Sequence, residues 1–308
     1  EALAVDALPA LNDGAAREIF ETSNAASDAL NRHLSGESSG IWGQFVLRGA
    51  DQDALSQTAG GYDSDQMIFT VGGDFVFGER GRVGVLASYA DIENDNFNGA
   101  AVSGQTEIES LKLGAYVATS FAERGFLNGE IAYLTGEIED ARNGVLGPIN
   151  SAYDFDGFAY SAVVGFDLLP NEKFALTPSL GINGATLSFD DAVEVGGFGF
   201  GVARDDTSFT ELRGGVALSG ELSPRFNGFV QGTVVQDLGD ETSTFTLTSG
   251  ELGTFNIVSP EREDTRFELG AGASVDVSDN FAIEVGYLGD FADGYDAHSG
   301  RITARFAF

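Results

Sequence analysis

With two histidines, His33 and His298, and no cysteine in 308 residues, little nucleophilic or metal chemistry is open to this chain. The lack of cysteine excludes disulfide frameworks, thiolate zinc sites and thiol catalysis. A hydroxyl nucleophile needs a base within hydrogen-bond reach, and the nearest approach to such a pair is His298 beside Ser299. A membrane hydrolase would place Ser and His together on the apolar wall. Neither apolar row described below holds them, so no catalytic residue is assigned and the chain reads as non-enzymatic. His33 reads as a polar contact near the end of a helix. The acidic pairs Asp51/Asp53, Asp63/Asp65, Asp154/Asp156, Asp190/Asp191 and Asp205/Asp206, with Asp91/Glu93/Asp95, invite a calcium reading. Calcium wants six to eight oxygens about one point, and these clusters lack the loop spacing and the central glycine that would supply them. They read as a solvated, mutually repelling rim. Gly196–Gly201 alternates with Phe198 and Phe200 but is followed by no Gly-Lys-Ser/Thr and opens no helix, so it reads as a loop tip and not a phosphate cradle. No metal or cofactor is expected.

Charge narrows the partners. There are 48 acidic against 16 basic residues, a formal net charge of −32. Such a chain repels nucleic acid phosphate and anionic lipid surfaces. A hydrophobic fraction of 43%, with 25 Phe and 42 Gly, is too apolar for a disordered acidic chain and favours β structure. No stretch approaches the ~18 uncharged apolar residues of a membrane helix, and the opening residues from Glu1 do not read as a signal peptide.

The elements that must position any functional group divide once, near residue 40. Over residues 12–35, Ala15, Ala16, Ile19, Phe20, Ala26, Ala29, Leu30 and Leu34 recur at spacings of three and four, which predicts a helix. Asn12 or Asp13 caps its start and Ser35-Gly36 its end. Arg17, Glu18, Glu21, Asp28, Arg32 and His33 lie around it, so it is slim and polar, roughly 30 Å long and suited to a narrow wet space. From Ile41 onward the period is two. Twelve strands are predicted, near 41–49, 65–78, 81–92, 105–120, 125–138, 152–168, 172–188, 207–220, 224–238, 262–276, 280–291 and 298–308. Tight turns alternate with longer links near 50–64, 93–104, 139–151, 189–206, 239–261 and 292–297. The link 239–261 reads as a hairpin raised above the rest. An even number of up-and-down strands, with short turns on one rim and long connections on the other, is the pattern of an outer-membrane barrel.

The two faces of the strands agree with that pattern. Rows such as Leu111, Leu113, Ala115, Val117 and Phe158, Tyr160, Ala162, Val164, Phe166 carry no charge and are assigned to lipid. The opposite rows hold Asp74, Lys112, Glu130, Glu211, Arg213, Arg266, Glu268, Glu284, Arg301 and Arg305, and are assigned to the lumen. Charges of both signs on an inner wall imply water or a polar plug. Lipid cannot satisfy a free sheet edge, so the first strand must pair with the last. A twelve-strand lumen fits one slim helix.

Four motifs in order carry a resemblance: Ile41-Trp42-Gly43-Gln44; Gly61-Tyr62-Asp63-Ser64-Asp65 leading to Gly72-Gly73-Asp74; Arg82-Val83-Gly84-Val85 with Ser88-Tyr89; and Leu113-Gly114-Ala115-Tyr116. With the preceding helix, they resemble the translocator (β) domain of classical type V autotransporters over essentially the whole chain. The resemblance implies an all-β fold, a twelve-stranded antiparallel transmembrane β-barrel with an N-terminal α-helix inside the pore. Residues 1–40 would be the linker with the pore-spanning helix and 41–308 the barrel, in the bacterial outer membrane with its long loops outside. It implies export and surface display of an N-terminal passenger domain, a part the chain itself does not carry. It also implies contact with outer-membrane lipid, partnership with the barrel assembly machinery through a C-terminal signal including Phe306 and Phe308, and a monomeric state. The helix has Asn24-Ala25 where some members have a self-cleaving Asn-Asn pair, so self-cleavage is not expected. The rival readings are a stand-alone porin-like channel and an outer-membrane anchor whose acidic loops bind a partner.

Overall fold

In the strands of this chain, large apolar side chains alternate with polar or small ones, and a period of two can bury only one of the two faces. The computed structural model describes residues 14–34, 39–54, 60–78, 80–98, 101–122, 124–144, 146–168, 173–197, 199–239, 243–250, 253–259 and 264–308. Among the described residues one helix, α1 (Gly14–Leu34), precedes sixteen strands. The first seven are β1 (Gly40–Gln52), β2 (Tyr62–Phe77), β3 (Gly81–Asn98), β4 (Ala101–Phe121), β5 (Gly125–Gly144), β6 (Gly147–Phe166) and β7 (Phe174–Phe189). There follow β8 (Ala192–Val193), β9 (Gly201–Arg204), β10 (Thr207–Ser223), β11 (Phe226–Asp237), β12 (Thr244–Ser249) and β13 (Gly253–Val258). The last three are β14 (Thr265–Ser278), β15 (Phe281–Ala292) and β16 (Tyr295–Ala307).

Twelve of these close into an antiparallel barrel in the order β1-β16-β15-β14-β11-β10-β7-β6-β5-β4-β3-β2. The seam is continuous: β1 pairs β16 from Gly40↔Ala307 to Gln52↔Tyr295. The ring therefore has no free edge, as backbone groups facing lipid require. The expected outward rows are the exposed ones, Leu113 at 50%, Phe158 at 67% and Leu269 at 59% among them. The tight turns, including the hairpins closed by Ser223↔Phe226 and Ser278↔Phe281, lie on the rim that also holds Gly40 and Ala307.

The opposite rim departs from expectation. The segments 93–104, 139–151 and 292–297, read as long links, are mostly strand, because β3 to β6 run on as ladders to the closing pairs Asn98↔Ala101 and Gly144↔Gly147, and β15 and β16 pair up to Ala292↔Tyr295. Backbone pairing continues there whatever the side chains, and the alternation persists with carboxylates outside and isoleucines inside. Ile92, Ile108 and Ile138 are fully buried, while Asp91, Glu93, Glu107, Glu109, Glu137 and Glu139 point out. The links 189–206 and 239–261 share a structure of their own, a four-stranded sheet ordered β13-β12-β9-β8. The expected hairpin of 239–261 is β12–β13, and Gly201 of the glycine run opens β9. This sheet buries Phe200, Phe245 and Leu247 and is tied to the tall wall by an Asn150↔Val195 bridge and a two-pronged Arg142–Glu194 pair at 2.8 and 2.7 Å.

Candidate functional site: the helix seat in the lumen

The helix α1 carries two unlike faces. Arg17, Glu21, Asn24, Asp28 and Arg32 form one stripe at spacings of three and four, and Ala16, Ile19, Phe20, Leu30 and Leu34 another. It lies inside the barrel, and each stripe meets a matching wall.

The apolar stripe packs against β1 to β7 and β10. Ala16, Ile19 and Phe20 join Val46, Ile68, Ala90, Ile92, Ile108, Leu134, Ile138, Phe155, Leu187 and Phe209 in one buried cluster. The Phe20 ring stacks on Phe209 with centroids 4.9 Å apart and planes 9° apart. The inner wall, read from its charges as facing water or a polar plug, thus has an apolar side as well, because the upper part of the pore is a packed apolar core on one side of the helix. Nearer the tight-turn rim, Ala29, Leu30 and Leu34 pack on Trp42, Leu86 and Tyr116. Trp42 lies directly over Gly72, where a Cβ would come within 2.6 Å of the indole, so only glycine leaves room for it.

The polar stripe meets charged groups of β10, β11 and β14 to β16, and at its margins others of β1, β2 and β4. Glu211 of β10 is the hub, accepting from Arg17 at 3.0 Å, from Asn24 at 3.3 Å and from Arg266, with Arg213 at 3.5 Å. Arg17 also reaches Glu21 at 2.7 Å and Asp237 at 3.4 Å. Arg266 adds Glu21 at 3.1 Å and Asp290. Glu18, on the other side of the stripe, accepts from Arg48 at 2.7 Å, from Tyr62 at 2.8 Å and from Gln66. Lower down, Arg213 is held by both oxygens of Glu268 at 2.6 Å and lies 3.8 Å from Asp28. Lys112 bridges helix and wall, donating to the Ser23 carbonyl and the Ser27 hydroxyl at 2.9 Å while pairing with Glu130 at 2.7 Å. At the foot, Arg32 and Arg305 converge on Glu284, at 3.7 and 2.9 Å. Arg82 donates to the Leu34 carbonyl, satisfying an end-of-helix acceptor. Nearly all these groups are buried, so each charge depends on its partner.

Most of the residues assigned to the lumen thus converge on the helix. Asp74 does not; it accepts from the Gly40 amide at 3.3 Å and from Tyr116 at 3.0 Å, beside the Trp42–Tyr116 bond of 3.2 Å. Phe306 and Phe308 point outward at the tight-turn rim, 51% and 71% exposed. Arg48, Tyr62, Gln66, Asn183, Asp237, Asp290 and Tyr295 also build the seat and were missed from sequence, although Arg48 continues the inward row Trp42, Gln44, Val46. The capping residues Asn12 and Asp13, the stop at Ser35-Gly36 and the side chain of His33 lie outside the described residues. Ser299 donates to the Leu288 carbonyl at 3.3 Å, while His298 faces outward with Tyr287 at 2.6 Å and Asp296 at 3.2 Å. Among the described residues no group of three or more His, Asp or Glu could hold a metal ion.

Beside the lower helix the barrel is not filled. A cavity of about 360 Å³ is bounded by Asp28 and Arg32 on one side and by β7, β10 and β11 on the other.

Comparison with known proteins agrees with this architecture. The family profile Autotransporter beta-domain matches residues 41–288. Outer membrane protein B of Rickettsia prowazekii (strain Madrid E) is 22% identical over 315 residues, covering 94% of this chain and 19% of that protein. The chain therefore spans about a fifth of the length of the curated relative it matches. The translocator domain of autotransporter NalP from Neisseria meningitidis superposes with a TM-score of 0.74 at 18% identity, covering 94% of this chain and 98% of that one. The transport unit of the autotransporter AIDA-I from Escherichia coli gives 0.69 at 13% identity, with 94% and 99% covered.

Proposed function

The chain belongs to the autotransporter β-domain family, and from that premise we propose that α1 is the pore-spanning link between the barrel and a passenger domain outside the cell. As a member of that family it is an outer-membrane β-barrel serving passenger export, a transport barrel. Short turns mark the periplasmic side of such barrels, so the rim with Gly40 faces the periplasm and Gly14 leads toward the exterior. The observation that carries the reading is the match between the helix's two stripes and two unlike walls, with Glu211 gathering charges from α1, β10 and β14 around one carboxylate. We infer that Arg17, Glu18, Glu21, Asp28 and Arg32 are the anchoring set of the helix, and that the inward charges of β4, β10, β14, β15 and β16 are its receptors.

In this reading the outward row Ile302, Ala304, Phe306 and Phe308 is what the assembly machinery grips, and the closed wall inserts as a monomer. Planar-bilayer conductance of the purified chain, with and without residues 1–36, tests it. Deletion should open a larger, steadier conductance. Equal conductance from both forms would overturn the plug and favour a stand-alone channel.

A further inference from the structure

We propose that Asp74 and Arg82 are positioning residues for the reversal between α1 and β1. They form a clamp at the periplasmic mouth that fixes the foot of the helix, and so the depth at which it sits in the lumen. The chain leaves α1 at Leu34 and enters β1 at Gly40, and the wall holds both points. The last carbonyls of a helix have no partner within it, and that end carries partial negative charge. Arg82 of β3 donates to the Leu34 carbonyl, and Arg305 of β16 donates to the Arg32 carbonyl at 3.3 Å. In the ring β16 lies on one side of β1, with β2 and β3 on the other. Guanidiniums from both flanks of β1 therefore close the helix end.

The start of β1 is caught as firmly. Gly40 donates its amide to Oδ1 of Asp74 at 3.3 Å, while Oδ2 accepts from Tyr116 at 3.0 Å. On the other flank a Cβ at Gly40 would collide with the Phe306 carbonyl oxygen, so only glycine enters there. Tyr116 in turn accepts from Trp42 at 3.2 Å. Each of these rings lies over a glycine, Trp42 over Gly72 and Tyr116 over Gly84. Ala29, Leu30 and Leu34 share one buried cluster with both rings, so the helix foot leans on the side chains that orient Asp74. The four sequence motifs thereby meet at one place. Trp42 comes from the first, Gly72 and Asp74 from the second, Arg82 and Gly84 from the third and Tyr116 from the fourth. The wall itself does not need this node, because backbone ladders already pair Trp42 with Gly72 and Asp74 with Gly84. What the side chains add is a grip on the two ends of the reversal.

The proposal rests on the reading of α1 as the pore-spanning link, and hydrogen exchange of the full chain in detergent micelles tests it. Arg82→Met takes the donor from the Leu34 carbonyl, and Asp74→Asn leaves one acceptor oxygen for two donors. In both variants the amides of residues 29–34 should exchange about tenfold faster, as the helix end opens locally. Those of β2 to β4 should keep the parent rate. Arg82→Lys keeps a donor and should restore slow exchange, while Arg80→Met, exposed on the neighbouring turn, should change nothing. Unaltered exchange over 29–34 in Arg82→Met or in Asp74→Asn would overturn the clamp. So would an equal acceleration in β2 to β4, since the two side chains would then be braces of the wall alone. Exchange at the helix foot is read without conductance, whereas removal of residues 1–36 reports on the plug, so the two readings can fail separately.

Discussion

Replacing Glu211 by glutamine keeps the shape of the seat and removes its central charge. Arg17, Arg213 and Arg266 would then share too few carboxylates in a dry wall, and breaking a buried pair in this way costs about 3–5 kcal/mol. Chemical unfolding of the folded barrel, followed by tryptophan fluorescence from Trp42 at the foot of the helix, should register that loss. Asp28→Asn removes a contact of 3.8 Å from a side chain 22% exposed, and should cost less than about 1 kcal/mol. Equal effects would mean that the polar stripe is not ranked by burial. Phe20→Ala tests the opposite wall. It deletes a ring stacked on Phe209 inside the apolar cluster, and a loss of about 3–5 kcal/mol is expected if that core is dry. A loss under about 1 kcal/mol would indicate water beside the helix.

At the scale of elements, each strand has a wet or dry face that a single arginine can report. Ala271→Arg on β14 faces lipid between Val230 and Tyr287 of its neighbours, and should cost roughly 2–4 kcal/mol near the midplane. Thr303 faces inward, but it is 2% exposed and accepts from Gln44 at 3.0 Å, so an arginine there would overpack. Ser219→Arg, whose side chain lines the cavity, is the inward change that should insert normally, as heat-dependent gel mobility of refolded barrel would check. Such faces were legible in the sequence because apolar rows alternate cleanly on strands like β4 and β16. What escaped was the height of β3 to β6. There Ile92, Ile108 and Ile138 sit inside and carboxylates outside, so each segment reads as a polar loop although its period is still two. The small sheet β8–β9–β12–β13 escaped for another reason: its strands are brought together from links about 40 residues apart, and no local pattern records such a pairing. The helix seat was half legible. Its charges fell on inward rows, while their partners Asp237 and Asp290 stood near strand ends where the rows blur.

Over the whole molecule, the −32 charge is arranged against itself. Above the aromatic level marked by Tyr133 and Phe158, 5.4 Å apart, outward carboxylates sit directly opposite one another. Asp91 pairs with Glu109 and Glu109 with Glu137; Glu93 pairs with Glu107 and Glu107 with Glu139; Asp51 pairs with both Asp63 and Asp296. Like charges facing across strands are destabilising. The Asp51 carboxyl is pushed above the ordinary carboxylate range by burial, then by Asp63, Asp296 and Asp53. A carboxyl whose folded pKa is raised lends stability below the ordinary carboxylate range, and loses it as pH rises through the folded value. The belt should therefore contribute less to the melting temperature as pH rises from the ordinary carboxylate range toward neutrality, and salt should raise the melting point at neutral pH, since exposed charges are screened and buried pairs much less. A melting point that falls with added salt would mean that the ionic seat, and not the outer belt, governs stability.

The seam between β1 and β16 has a kinetic consequence. It joins Gly40 to Ala307, nearly the full span of the barrel-forming chain, so its loop-closure entropy falls due only after the other eleven pairings can share it. Until then the growing sheet carries two open edges whose unpaired amides and carbonyls fit each other, and also fit any stray strand nearby. Shortening β16 by a few residues would leave the rest of the wall intact yet lengthen the life of that half-closed state. Slow-closing variants should therefore announce themselves as aggregates before they show any loss in the stability of the finished ring.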